Sequence, residues 1–390
     1  MDSICLHNGT VMTGFAVMEK CAILIEDGLI TDVFSQKRFE SKRYGKETVI
    51  IDVNGAYIAP GFIDTHIHGF GGYGTEDMSA ESILEMSRQL VKSGVTAFNP
   101  TLYSAKKTIL LKALKETASA IGREEGAQIM GIHLEGPFIS PERLGAMKAD
   151  AIQPVDMDYM EQLWKASKGK IVNMTVAPEL KGMRELALFC LKKGIVLQAG
   201  HTNANYENMV EGMQAGILHS THLFNAMSRM DHRNPNAVGA ILIHPEMSCE
   251  IIADGYHIHP NFYKLLLRNK PIDKIILISD ALKPTEQAKG PFFANNDEVV
   301  FKNGVFSRKS DDVIGGSALT MIRGVKNLVN FGFNLDDAIK SATLNPAKIM
   351  RYSSKGAILP GYDADITVFS KDYKVLTVIT KGIIRKNLLE

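Results

Sequence analysis

The sequence predicts an α/β protein: a (β/α)8 TIM-like barrel with a small β-sandwich-like domain built from both chain termini. Three observations predict it. From Tyr57 to Ser279, eight short apolar segments recur with helical stretches between them, and strand–helix alternation over ~250 residues is the signature of such a barrel. The flanking regions, 1–55 and 352–390, carry β-branched and apolar runs without a long helical period. Ligand-type polar residues gather at the ends of the apolar segments, where a barrel places its active site.

In chain order, Ser3–Asn8, Cys21–Glu26, Leu29–Phe34 and Val49–Val53 read as strands, with Asn8-Gly9 and Asp27-Gly28 as turn signals. Barrel strands are expected at Tyr57–Asp64, Val95–Pro100, Gln128–His133, Ile171–Ala177, Ile195–Ala199, Leu218–His222, Cys249–Ala253 and Lys274–Ser279. Helices are expected around Ala80–Lys92 and Ala105–Ile121, and from Met183 and Tyr206. Ser317–Phe331 and Leu335–Met350 read as closing helices. Asp365–Phe369, Val375–Thr380 and Ile383–Lys386 return to strand, and should join the N-terminal strands in one small sheet. The domains are then 1–55 with 352–390, and 56–351. An open doubly wound sheet is the alternative, but no GxGxxG follows the first strand.

Composition narrows the function. A chain 45% hydrophobic and 22% charged is globular rather than disordered, collagenous or a coiled coil. With 44 basic and 43 acidic residues the net charge is +1. No global field draws the chain to nucleic acid or an anionic membrane. Apolar runs such as Ile275-Ile276-Leu277-Ile278 are far shorter than the ~18 residues of a membrane helix. Met1-Asp2-Ser3 opens no basic-then-apolar leader, and Cys5, Cys21, Cys190 and Cys249 lack CxxC spacing. A cytoplasmic protein with reduced thiols is expected.

The first barrel strand ends Asp64-Thr65-His66-Ile67-His68, the third His133-Leu134-Glu135, the fifth Gly200-His201, the sixth Thr221-His222 and the eighth Ser279-Asp280. Together they would bring four imidazoles and two carboxylates to one face, a donor set suited to divalent Zn, Fe, Mn or Co. His66 and His68 share a strand face, as chelation requires. HxH alone is cheap, and His257-Ile258-His259 is a second instance. Glu135 precedes a Gly136-Pro137 turn, which leaves no helix start to cap. Asp280 has little helix to cap, with Pro284 close behind. His219 and His222 are an odd spacing apart, so on a regular strand only one should face the interior.

Pro60-Gly61-Phe62-Ile63-Asp64-Thr65-His66-Ile67-His68-Gly69 resembles the first-strand motif of the amidohydrolase superfamily. His133-Leu134-Glu135-Gly136-Pro137-Phe138, Ala199-Gly200-His201-Thr202, Thr221-His222-Leu223-Phe224-Asn225-Ala226-Met227 and Gly316-Ser317-Ala318-Leu319-Thr320 narrow the resemblance to the N-acetylglucosamine-6-phosphate deacetylases. It runs from about Asn54 to the C-terminus, in order. The resemblance implies a hydrolase that removes acetate from N-acetylglucosamine 6-phosphate, commonly as a homodimer. Glu135, His201 and His222 match the core metal ligands, and Asp280 the catalytic carboxylate. Asn225, the Ala226 amide and Arg233 match phosphate contacts, and His257 a substrate contact. Members that keep HxH on the first strand hold a second ion. This chain keeps His66 and His68, so up to two divalent ions per chain are expected. One departure stands out. Many relatives have Gly-Ala-His where this chain has Gly145-Ala146-Met147. A thioether donates no hydrogen bond, so metal or another donor must polarise the carbonyl.

The chemistry is consistent with this reading. Amide hydrolysis needs a nucleophile, oxyanion stabilisation and a proton for a poor leaving group. A divalent ion lowers the pKa of water toward ~7. Glu135 can bridge two ions, Asp280 can act as base and then acid, and Arg233 offers a bidentate fork to phosphate. A cyclic amidase would carry a carboxylated Lys at the fourth strand, where this chain reads Val176-Ala177-Pro178-Glu179. A barrel turned into a binding protein would have lost ligands, and here all are present.

Overall fold

The computed structural model describes residues 3–302 and 304–389. Eight parallel strands form the barrel: β1 (Phe62–Ile67), β2 (Val95–Tyr103), β3 (Ile132–Glu135), β4 (Ile171–Val176), β5 (Val196–Ala199), β6 (His219–Ser220), β7 (Ser248–Ile252) and β8 (Ile275–Ile278). Each pairs in parallel with the next from β1 to β8. The ring closes just beyond β8, where the Asp280 N–H donates to the His66 carbonyl at 2.9 Å and the Ser279 N–H to Asp64 Oδ1 at 3.2 Å. Strands covered on both faces can be apolar throughout; every residue of β1 and β8 is buried. Outward-facing Phe98, Leu134, Met174 and Leu277 pack against the helices in one continuous core.

The barrel interior is polar. Asn99 donates to Asn173 at 3.2 Å, Asn173 to Gln198 at 3.2 Å, and Tyr352 Oη to Asn99 at 2.8 Å. His133 lies 2.9 Å from Thr175 Oγ1. A buried polar layer is tolerable when its members satisfy one another, and then it specifies a single arrangement. This layer is the floor on which the site stands.

The chain ends do meet in one sheet. Its order is Ile383–Asn387, Val375–Thr380, Ile366–Phe369, Tyr57–Pro60, Ser3–Met12, Val17–Glu26, Leu29–Ser35, with Thr48–Asp52 also paired to Ser3–Met12. The first strand divides one edge between two partners: residues 3–7 pair with Thr48–Asp52 and residues 10–11 with Tyr57–Ile58. The sheet therefore branches around a core of Leu6, Ile23, Ile25, Ile58, Ile366 and Ile379.

Several elements differ from the sequence expectation. The single strand expected over Tyr57–Asp64 divides at Gly61. Tyr57–Pro60 belongs to the terminal sheet, so that sheet extends past residue 55, and β1 begins at Phe62. A Cβ at Gly61 would stand 2.0 Å from Thr96 Oγ1, so only glycine lets the chain cross there. The helix expected over Leu335–Met350 is two helices, Leu335–Ala342 and Leu344–Ile349. Pro346 lacks the N–H that a continuous helix would need, and it falls in the first turn of the second one. An antiparallel sheet of Phe292–Ala294, Asp297–Lys302, Val305–Arg308 and Ile314–Ser317 follows β8 unannounced. It seats Ala294, Val299 and Phe306 against Tyr103, Ile139, Met147 and Leu282 at the barrel mouth.

Candidate metal centre

The C-terminal ends of β1, β3, β5, β6 and β8 deliver the predicted donors to one place. His66, His68 and Asp280 form one buried group, and Glu135, His201 and His222 form another. Glu135 joins them. Its Oε1 lies 3.0 Å from both His201 Nε2 and His222 Nε2, and its Oε2 lies 3.1 Å from His68 Nε2. His66 Nε2 stands 3.6 Å from Glu135 Oε1, and Asp280 Oδ1 is 3.4 Å from both His66 Nε2 and His68 Nε2.

Hydrogen bonding on the far side of three rings orients them. His68 Nδ1 faces the Thr101 carbonyl at 3.1 Å, His201 Nδ1 the Arg143 carbonyl at 3.0 Å and His66 Nδ1 the Glu250 carboxylate at 3.0 Å. Each acceptor requires an N–H at Nδ1, which leaves the Nε2 lone pair turned toward the centre. Buried His66 Nε2 has no hydrogen-bond partner, and His222 Nε2 and His201 Nε2 are 3.2 Å apart. Tetrahedral donors bound at about 2.0–2.2 Å stand about 3.3–3.6 Å from one another. The residues present therefore fit divalent ions.

Electrostatics agree. Burial alone would push the Glu135 carboxyl upward, but His66, His201 and His222 hold it well below the ordinary range. Burial likewise opposes an ionised Asp280, and His66 and His68 outweigh it. Burial disfavours a charged His66, yet Glu135, Asp280 and Glu250 raise its pKa well above the usual imidazole value. Glu135, Asp280 and Glu250 together make a negative field that favours positive charge here, a proton on His66 or a bound cation.

A cavity of about 170 Å³ opens above these donors, lined by Tyr103, Met147, Asn225, Ala226, His257 and Ile314 among others. His257 Nδ1 pairs with Asp254 Oδ2 at 2.6 Å, so Nε2 is free for a ligand. Burial lowers the His257 pKa, but Asp254 raises it further. Gly145, with φ of 55°, leaves only 3.2 Å between its Cβ position and His201 Cε1. Met147 is buried in the wall, as the departure from Gly-Ala-His implies. A larger cavity of about 210 Å³ lies at the opposite, N-terminal ends of β5–β8, away from both donor groups.

Two residues singled out in the sequence fall elsewhere. Arg233 is exposed on the loop 229–235 and does not line the cavity. His259 is exposed and accepts the Asn261 N–H, as a capping residue does. His219 and His222 depart from the alternation expected of a regular strand. β6 stops at Ser220 and His222 turns through a φ of 22°. Both rings are therefore buried, with His219 Nδ1 2.8 Å from Ser248 Oγ. Sequence reading also missed Glu250. Its signal was a lone carboxylate inside the apolar run Cys249-Glu250-Ile251-Ile252, which needs buried partners.

Beside His68, Glu76 carries a buried Oε2 without a partner, and burial pushes its carboxyl up to about 7. The folded state thus keeps a proton that the unfolded chain releases near pH 4.5. Stability from this group is full below that pH and is lost as pH rises through 7. Glu76→Gln should raise thermal stability at pH 8 by up to about 3 kcal/mol, and much less at pH 5. Melting curves of the metal-free protein at the two pH values test this.

The Amidohydrolase family matches residues 57–384. The chain is 32% identical over 387 residues to N-acetylglucosamine-6-phosphate deacetylase of Bacillus subtilis (strain 168), covering 98% of this chain and 96% of that protein. It is 31% identical to the Mus musculus enzyme of the same name over 88% of this chain and 86% of that one. The crystal structure of N-acetylglucosamine-6-phosphate deacetylase from Pasteurella multocida superposes with a TM-score of 0.92 at 27% identity, covering 99% of this chain and 100% of that chain. A mutant deacetylase from Mycobacterium smegmatis, in complex with N-acetyl-D-glucosamine-6-phosphate, gives 0.91 at 26% identity, with 99% and 100% covered. With its donor set at the strand ends and these likenesses along nearly its whole length, the chain belongs to the amidohydrolase family, in the branch of the N-acetylglucosamine-6-phosphate deacetylases.

Proposed function

We propose that this protein hydrolyses the acetamide of N-acetyl-D-glucosamine 6-phosphate to D-glucosamine 6-phosphate and acetate, with two divalent ions, in amino-sugar catabolism and cell-wall precursor recycling. The observation that carries this reading is Glu135, whose two oxygens face separate donor groups while Asp280 stands across from them. Bound ions would be held by His66, His68, Glu135, His201 and His222, and would supply Lewis acidity and water of lowered pKa. Asp280, ionised at neutral pH, accepts a proton from the attacking water. As the C–N bond breaks, the same carboxyl returns the proton to the departing amine. His257 offers Nε2–H to the sugar, and Asn225 and Ala226 line the same cavity, which supports their assignment to the phosphate. Met147 contributes apolar surface rather than a hydrogen bond.

The test is acetate release by protein of known metal content, on the 6-phosphate, the unphosphorylated sugar and N-acetylgalactosamine 6-phosphate. The last is included because a 28% identical relative from Escherichia coli O157:H7 is an N-acetylgalactosamine-6-phosphate deacetylase. Equal rates with and without phosphate would sink the substrate assignment.

The loop of Arg233 supports a homodimer in which that guanidinium reaches the phosphate in the partner's site. Arg233→Ala should lower kcat/KM for the phosphorylated sugar by about one to two powers of ten, the worth of a charge-assisted fork. It should leave the weak activity on the unphosphorylated sugar unchanged. Equal losses on both substrates would assign Arg233 to folding or assembly. No helix among the described residues is long and apolar enough to cross a membrane. Four buried free cysteines support a reducing, cytoplasmic setting.

A further inference from the structure

Glu250 lies in β7 and is wholly buried. Its Oε2 accepts from His66 Nδ1 at 3.0 Å and from the His222 N–H at 3.3 Å. Its Oε1 accepts from Gln198 Nε2 at 3.3 Å and Thr65 Oγ1 at 3.4 Å, with His219 Nε2 3.7 Å away. An ionised carboxylate only accepts, so a floor of donors converges on it. The imidazole of His66 can meet it in one way, with the proton on Nδ1. The other nitrogen then has no hydrogen-bond partner and faces Asp280 and Glu135.

We propose that Glu250 is a positioning residue for the His66–His68–Asp280 ion: it holds His66 in the tautomer and rotation that present Nε2 as a ligand. The assignment rests on the two-ion reading above. Glutamine keeps the size of Glu250 but replaces one acceptor with a donor. Whichever way its amide turns, a donor then faces His66 and the His222 N–H on one side or Gln198 and Thr65 on the other. Outer partners of metal-bound histidines are worth roughly 10- to 100-fold in affinity.

The experiment is equilibrium zinc binding to the full chain, by chelator competition with metal counted by mass spectrometry. It compares wild type, Glu250→Gln, His66→Ala and the double variant. Glu250→Gln should weaken one of two ions roughly 10- to 100-fold. In the His66→Ala background the same change should alter the remaining ion by well under tenfold, because Glu250 meets His222 through its backbone N–H and not through its ring. A merely structural role would instead weaken that ion as well, and would overturn the assignment. So would two ions in wild type with unchanged affinities in Glu250→Gln. A wild-type protein that never holds more than one ion overturns the two-ion reading and this assignment together. If Glu250→Gln does not fold, Glu250→Asp enters the same cycle. It keeps the charge but withdraws it by one methylene, and should weaken the same ion alone.

Discussion

Asp280→Asn should lower turnover at least ~10²-fold, and up to ~10⁴-fold, the range a positioned acid–base supplies. Asparagine matches the shape of aspartate, so the bend at residue 280 survives, with its N–H on the His66 carbonyl and its own carbonyl accepting the Ser317 N–H at 2.9 Å. What is lost is the ability to take a proton from water and give it to nitrogen. KM should change much less than kcat, because the proposed sugar and phosphate contacts, His257, Asn225 and Ala226, are other residues of the cavity lining. Asp280 also stands as the third donor beside His66 and His68. The variant should therefore hold that ion more weakly while keeping the one at Glu135, His201 and His222. Acetate release together with metal content checks both halves. Near-normal turnover would remove Asp280 from the mechanism.

Glu135→Gln should have the larger effect on metal. Its carboxylate faces His68, His201 and His222 at 3.0–3.1 Å and His66 at 3.6 Å. An amide brings no charge and turns an N–H₂ toward one ring pair or the other. Both ions should be lost at micromolar free metal. Lewis-acid stabilisation worth several kcal/mol goes with them, so hydrolysis should fall by about three powers of ten or more. Replacing His66 and His68 together by Ala should instead leave one ion. A Glu135→Gln protein that retains two ions would show that the carboxylate does not bridge.

How far the sequence reveals this molecule depends on whether a residue's role is local. Barrel strands were legible because each is a short apolar run between helical periods, and strand ends were legible because their polar residues interrupt those runs. His66, His68, Glu135, His201, His222 and Asp280 all lie at such interruptions, and the fold gathers them. The division at Gly61 was hidden because Tyr57-Ile58-Ala59-Pro60 and Phe62-Ile63 read as one apolar run, and only pairing partners far along the chain separate them. The sheet over Phe292–Ser317 was hidden for a different reason. Val299-Val300-Phe301 is a run of three apolar residues, yet only Val299 is buried, so hydrophobicity does not reveal the alternation. Glu250 was missed because its partners His66, Thr65, Gln198 and His222 lie on other strands or at their ends, His66 nearly half the chain away.

His201, His222 and Asp280 have φ values of 46°, 22° and 48°. Side chains other than glycine occupy that region at a cost of about 1–2 kcal/mol each. The barrel tolerates these bends because they aim donors inward. Glycine there would relieve the bend but withdraw a buried partner from Glu135 or from His66 and His68, and breaking a buried charge pair costs about 3–5 kcal/mol. The strained backbone is thus held in place by the very side chains it aims, and screens for heat-resistant variants should leave His201, His222 and Asp280 alone.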